Sequence, residues 1–280
     1  MRLCLSLVAG LLALSFPTRA AERLRVLTTI PPVYCFTANI AGPFAHVQNL
    51  LPPGTTAHDF QFTFADRRKL EQTDLLILNG LGLESWLDKT LATAPAKRVA
   101  RCAEGLASGT NHSNPHLWLD PILACQMVTN ILTALQQADP AHAADYATNA
   151  AAFVLRLRLL DEEIRSGFLS LTNRAIVTSH DAFAHFAQRY GFTIAGVIEE
   201  TAEVDPSPAH LTALRAAIQK QRVKALFVDT HTSPRRARQW ARDFKIAAGV
   251  LDTLEEAPLQ PSAYEDAMRR NLRALQQTLR

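Results

Sequence analysis

The chain holds 280 residues, 48% of them hydrophobic, with a formal charge of +3 at neutral pH. Such a length and apolar fraction support one large core or two smaller ones. A charge this low, lower still without the first twenty residues, argues against nucleic acid and an anionic membrane as partners, since both need a clustered basic surface.

In chain order, the first twenty residues read as a secretory leader. Arg2 supplies a short basic segment, residues 3–16 an apolar run too short to cross a bilayer, and Thr18-Arg-Ala20 a small-residue cleavage site. No cysteine stands near that cleavage point, so the expected product is soluble, periplasmic and without a lipid anchor. Losing Arg2 and Arg19 lowers its formal charge to +1.

Beyond the leader, apolar β-rich runs alternate with helix-like stretches, the pattern of parallel α/β architecture. Strands are expected at residues 24–28, 47–51, 74–79 and 98–102, then at 174–179, 194–198, 225–229 and 248–252. Each half thus holds four. Ser207-Pro208 and Ser233-Pro234 each place an N-cap before a proline at the first helical position. Between the halves, Tyr146, Ala150, Phe153, Leu157, Leu160, Ile164, Phe168 and Leu171 recur in steps of three and four. This predicts one helix over residues 140–172, about 45 Å long. It would join an N-terminal α/β lobe (21–139) to a C-terminal one (173–280).

Cys4 leaves with the leader. Cys35, Cys102 and Cys125 lack CxxC spacing and have apolar neighbours, so buried inert thiols are expected rather than a thiolate metal site. The Arg-rich stretches Arg235-Arg-Ala-Arg238 and Arg269-Arg270 read as solvated helix faces.

Four short segments end on a side chain able to ligate a metal: His58, His116, His180 and Asp252. His180 and Asp252 stand at the ends of expected strands. His58 lies in the loop carrying Pro52-Pro-Gly54, and His116 in a Pro-bracketed loop before a helix. Open α/β sheets bind ligands at the carboxyl ends of their strands, so two candidates from each lobe suit a cleft between them. Three neutral imidazoles and one carboxylate fit zinc above all. His46, His142, His185 and His210 fall in or beside helix-like segments and are expected at the surface or in hydrogen bonds. His231 follows a strand and His112 lies in a polar loop, which leaves metal contact open for both. Asp120 suits a helix N-terminus better than coordination. Asp59 and Asp181 adjoin candidate ligands and could orient their imidazoles.

Several longer motifs accompany these residues. They are His58-Asp-Phe60, Asp74-Leu-Leu-Ile-Leu-Asn-Gly-Leu-Gly-Leu-Glu84-Ser-Trp-Leu87, Asn114-Pro-His-Leu-Trp-Leu-Asp-Pro121, Ser179-His-Asp-Ala-Phe183, Tyr190-Gly-Phe192, Asp205-Pro-Ser-Pro208, Ala225-Leu-Phe-Val-Asp229 and Leu251-Asp252. In their order and spacing the chain resembles the ZnuA/TroA-like zinc- and manganese-binding receptors of metal-uptake ABC transporters. The resemblance covers nearly the whole mature chain. It implies two (β/α) lobes joined by a long backbone helix, with metal held between them by His58, His116, His180 and Asp252. It also implies a monomeric carrier, not an enzyme, that captures Zn2+ (Mn2+ being the alternative) and delivers it to a membrane permease. Manganese-preferring relatives often have a carboxylate where this chain has His180.

Two departures stand out. The His- and acid-rich loop common before the second ligand shrinks to Asn111-His-Ser-Asn114, and the Glu-Pro often found after the first ligand is replaced by Gln61-Phe62. An exported zinc-dependent hydrolase is the rival from another class. HExxH spacing is lacking, however, and no glutamate stands in an evident general-base position relative to the histidines. No Gly-rich phosphate fingerprint follows any strand.

Overall fold

A computed structural model of the chain describes residues 23–58, 60–93, 97–106, 114–199 and 206–280. The leader, Asp59, His112 and Asp205 lie outside them. The N-terminal half runs β1 (Leu24–Thr28), α1 (Pro31–Ala41), β2 (Ala45–Asn49), α2 (Phe64–Glu71), β3 (Leu75–Leu78), α3 (Ser85–Thr93), β4 (Val99–Arg101) and α4 (Pro121–Ala138). After α5 (Ala143–Gly167) come β5 (Ala175–Thr178), α6 (Ala184–Tyr190), β6 (Thr193–Val197), α7 (Pro208–Gln221), β7 (Ala225–Asp229), α8 (Pro234–Phe244), β8 (Ala247–Leu251) and α9 (Ala263–Leu279). All eight expected strands form, each with its ends within two residues of the expected ones.

Each half builds a four-stranded parallel sheet, ordered β2-β1-β3-β4 and β6-β5-β7-β8. The halves therefore share topology as well as strand number. The inner strands β3 (Leu-Leu-Ile-Leu) and β7 (Ala-Leu-Phe-Val-Asp) are buried at every residue, as parallel strands covered by helices on both faces must be. Ser207 and Ser233 cap α7 and α8 by accepting the backbone N–H of His210 and Arg236.

The connecting helix is shorter than the periodicity predicts. Residues 140–142 form a separate 3-10 turn, and α5 spans 25 residues, about 37 Å at 1.5 Å per residue. It stops at Gly167, where an added Cβ would lie 2.8 Å from Leu272 Cδ1. The apolar steps continue to Phe168 and Leu171 because i→i+3 turns carry on the three-residue spacing (Phe168 N–H to Arg165 C=O, Leu171 N–H to Phe168 C=O). Such turns eclipse residues three apart, so the sequence pattern does not mark the helix end.

One hydrophobic cluster runs from the N-terminal sheet through α1, α4 and α5 to Phe183, Phe186, Phe227 and α9. A smaller one, including Val177, Leu214, Leu226, Trp240 and Phe244, fills the other side of the second sheet. The last segment crosses back onto the first lobe. Tyr264 packs edge-on against Phe36 at 4.9 Å, and Cys35 Sγ donates to Gln260 C=O at 3.0 Å. Cys35, Cys102 and Cys125 are all free and buried, and burial pushes the Cys35 thiol up to about 12.

Candidate metal centre

Four loops at the carboxyl edges of β2, β4, β5 and β8 converge between the sheets. The first, after β2, is held by Trp86, whose indole N–H donates to Ala57 C=O at 3.1 Å and whose ring meets Phe60 at 4.7 Å. Thr63 and Asp66 then close a reciprocal capping box on α2. This fixes the loop carrying His58, an exposed residue on the cleft rim. Gln61-Phe62 is thus accommodated without loss of the loop, since the Phe62 ring also stacks on Trp86.

His116 is buried. Asn79 Nδ2 anchors the preceding Pro115 C=O at 3.0 Å. Beyond it, Trp118 Nε1 donates to Thr253 C=O at 2.8 Å and Tyr264 Oη to Trp118 C=O at 2.6 Å. Asp120 caps α4 by accepting Ile122 N–H and Leu123 N–H, the helix-terminal role its position suggested. His180 follows β5 directly, where Ser179 N–H joins Phe227 C=O and Ser179 Oγ accepts Asp229 N–H.

The three histidines meet. One ring nitrogen of each lies within 4.8 Å of the others. Their ring centroids are 5.0 Å (His116–His180), 5.3 Å (His58–His180) and 5.9 Å (His58–His116) apart. Burial pushes the His180 imidazole down to about 4, reinforced by the nearby His116 ring. It is therefore a neutral nitrogen donor at pH 7, the form a metal requires.

Asp252 is directed elsewhere. Its Oδ1 accepts Leu254 N–H at 2.8 Å and its Oδ2 pairs with Arg270 at 2.9 Å, while Asn271 brackets its backbone. The buried carboxylate beside His116 and His58 is Glu255. Its Oε1 lies 3.1 Å from His116 Nε2 and 4.0 Å from His58 Nε2, and its side chain is 2% exposed. The turn between the two acids explains the exchange. Asp252 folds back on Leu254, which adopts a left-handed φ of 67° and re-aims the chain into the cleft. Burial alone would raise the Glu255 carboxyl, but the adjoining His116 ring and the charges available to the other two imidazoles hold it below the ordinary range. Sequence reasoning missed Glu255. The one available signal was an acid three residues beyond a strand end, in the same loop as Asp252.

A second carboxylate backs the site. Asp229 Oδ2 lies 3.7 Å from His180 Nδ1 and 3.9 Å from His231 Nε2, and burial pushes its carboxyl up to about 7. His231 thus stands beside Asp229 rather than in the triad. His142, His185 and His210 make hydrogen bonds to Asp139, Asn114 C=O and Val197 C=O, as their positions predicted, and His46 lies exposed on β2. Asp181 presents its backbone C=O to Asn114, and burial raises its carboxyl.

A model of the family described as zinc-uptake complex component A, periplasmic (ZnuA), matches residues 26–278. The chain is 27% identical to the zinc-binding lipoprotein AdcA of Streptococcus pneumoniae over 291 aligned positions, covering 96% of this chain and 58% of AdcA. It therefore spans little more than half the length of that relative. It is 31% identical to the iron-binding protein YfeA of Yersinia pestis over 243 positions, with 83% of this chain and 78% of YfeA covered. Among solved structures, the Zn(II)-bound ZnuA-like domain of S. pneumoniae AdcA superposes with a TM-score of 0.79 at 27% identity, over 92% of this chain and 99% of that one.

Proposed function

Since the chain belongs to the ZnuA family, we propose that it is an exported solute-binding protein that captures Zn2+ and hands it to the permease of an ABC transporter. We propose His58, His116, His180 and Glu255 as the ligands, with Glu255 in the place first given to Asp252. The observation carrying this reading is the convergence of three imidazoles within 4.8 Å of one another, with the buried Glu255 carboxylate 3.1 Å from His116 and 4.0 Å from His58. Three nitrogens and one oxygen suit tetrahedral zinc, at about 2.0–2.1 Å for Zn–N and 2.0–2.2 Å for Zn–O. The same donors accept manganese, but zinc binds such a set more tightly on the Irving–Williams order. The zinc-binding relative and the iron-binding one support a transition-metal cargo while leaving its choice to the donor set.

Carrier and hydrolase differ in the fourth position. A hydrolytic zinc keeps it open for water and sets a glutamate behind that water. A glutamate does stand beside the histidines, contrary to the sequence expectation, yet Glu255 lies against His116 Nε2, where its carboxylate would fill the fourth position itself rather than hold a water there. Titrating chelator-stripped protein with zinc and with manganese, while assaying ester and peptide hydrolysis, tests the proposal. One tightly held zinc without turnover is the expected result. Turnover abolished by His180→Ala would overturn it.

A further inference from the structure

Asn114 belongs to the motif that carries His116, and its hydrogen bonds reach His116, the loop after His180 and a side chain of α6. Its Oδ1 accepts the backbone N–H of His116 at 3.1 Å and lies 2.9 Å from His116 Nδ1. Its Nδ2 donates to Asp181 C=O at 2.7 Å, one residue past His180. Its own C=O lies 3.0 Å from His185 Nε2 on α6. The amide has a single consistent orientation, because the Asp181 carbonyl requires a donor and the His116 N–H an acceptor. The oxygen facing His116 Nδ1 therefore demands a proton on that nitrogen. Nε2 is thereby the nitrogen turned toward Glu255 Oε1, 3.1 Å away. A proton bridges that contact when no metal is bound, and a bound metal would take its place.

We infer that Asn114 is a positioning residue for metal capture: it keeps a proton on His116 Nδ1, so that Nε2 is the nitrogen offered to metal, and ties that ring to the His180 loop of the other lobe. This rests on the ligand set proposed above. An imidazole's outer hydrogen bond commonly sets both its tautomer and its orientation toward metal, and losing it costs about 10–100-fold in affinity. Here the same side chain also spans the cleft, so one residue sets the aim of one ligand and the distance to another.

Two substitutions separate these roles. Asn114→Asp keeps an acceptor for His116 Nδ1–H but cannot donate to Asp181 C=O; Asn114→Ala loses both. Zinc dissociation constants are measured by competition with a chromogenic chelator. Long-range 1H–15N spectra of the zinc-loaded protein report which His116 nitrogen carries the proton. Asn114→Ala is expected to weaken binding by about 10–100-fold, and Asn114→Asp to recover only part of that loss, since it keeps Nδ1 protonated as in the wild type but lacks the donor to Asp181 C=O. Equal affinities for wild type and Asn114→Ala, equal losses in both variants, or a wild-type complex with an unprotonated His116 Nδ1 would overturn the inference. A wild-type chain that binds no zinc would instead overturn the proposed function.

Discussion

Glu255 and Asp252 stand three residues apart in one loop, and exchanging their roles makes opposite forecasts. Glu255→Gln keeps the shape of a side chain that is 2% exposed and removes its charge. Deleting one member of a buried charge pair costs about 3–5 kcal/mol, and the metal complex would bear this in full, so zinc affinity should fall about 100- to 4,000-fold at 1.4 kcal/mol per decade. The metal-free protein should suffer less. It loses the charge-assisted contact between Glu255 and His116, but the glutamine amide can still hydrogen-bond His116 Nε2, so its melting temperature should fall by only a few degrees. Asp252→Ala acts on the fold instead. It loses the bond to Leu254 N–H, about 1 kcal/mol. Its ion pair with the half-exposed Arg270 adds little. Melting should drop by about 2–4 °C, with zinc affinity reduced far less than in Glu255→Gln. Chelator competition and thermal unfolding of the stripped proteins measure both quantities. Wild-type affinity in Glu255→Gln with a collapse in Asp252→Ala would refute the reasoning.

Further expectations concern pH, the ties between the lobes and the thiols. His180, pushed down to about 4 from 6.5, leaves the unfolded chain holding more protons between those values, so its contribution to stability is lost as pH falls through that window. Asp229, raised from 3.8 to about 7, acts with the opposite sign, so Asp229→Asn should make urea stability of the metal-free protein fall more steeply from pH 6.5 to 4, by at most about 3 kcal/mol; an unchanged slope would contradict this. Trp118→Phe leaves the Thr253 carbonyl without its indole donor, which should cost about 1–3 kcal/mol in denaturant unfolding and speed zinc loss to a chelator in stopped flow. The buried thiols of Cys35, Cys102 and Cys125 should ignore a colorimetric thiol reagent until the protein unfolds, and labelling of native protein would show the burial to be wrong.

The alternation of apolar runs and helical stretches made all eight strands legible, β3 and β7 most clearly, because parallel strands covered on both faces must be apolar along their length. The three histidines were legible because strand ends and Pro-marked loops fix where side chains can gather. Glu255 was not, since its direction depends on Asp252 folding back onto Leu254 N–H and on a left-handed Leu254. Leucine is a residue no turn rule would place there. The end of α5 was hidden for a related reason: i→i+3 turns kept Phe168 and Leu171 in step after the helix had stopped. The return of α9 onto α1 rests on pairings such as Tyr264 with Phe36, far apart in sequence and invisible to periodicity.

Zinc K-edge absorption of the one-to-one complex tests the coordination directly. The account predicts four light donors, with three imidazole signatures at about 2.0–2.1 Å, one oxygen at about 2.0–2.2 Å and one imidazole fewer in His180→Ala. A sulfur shell near 2.3 Å, or fewer than three imidazoles in the unaltered protein, would contradict it.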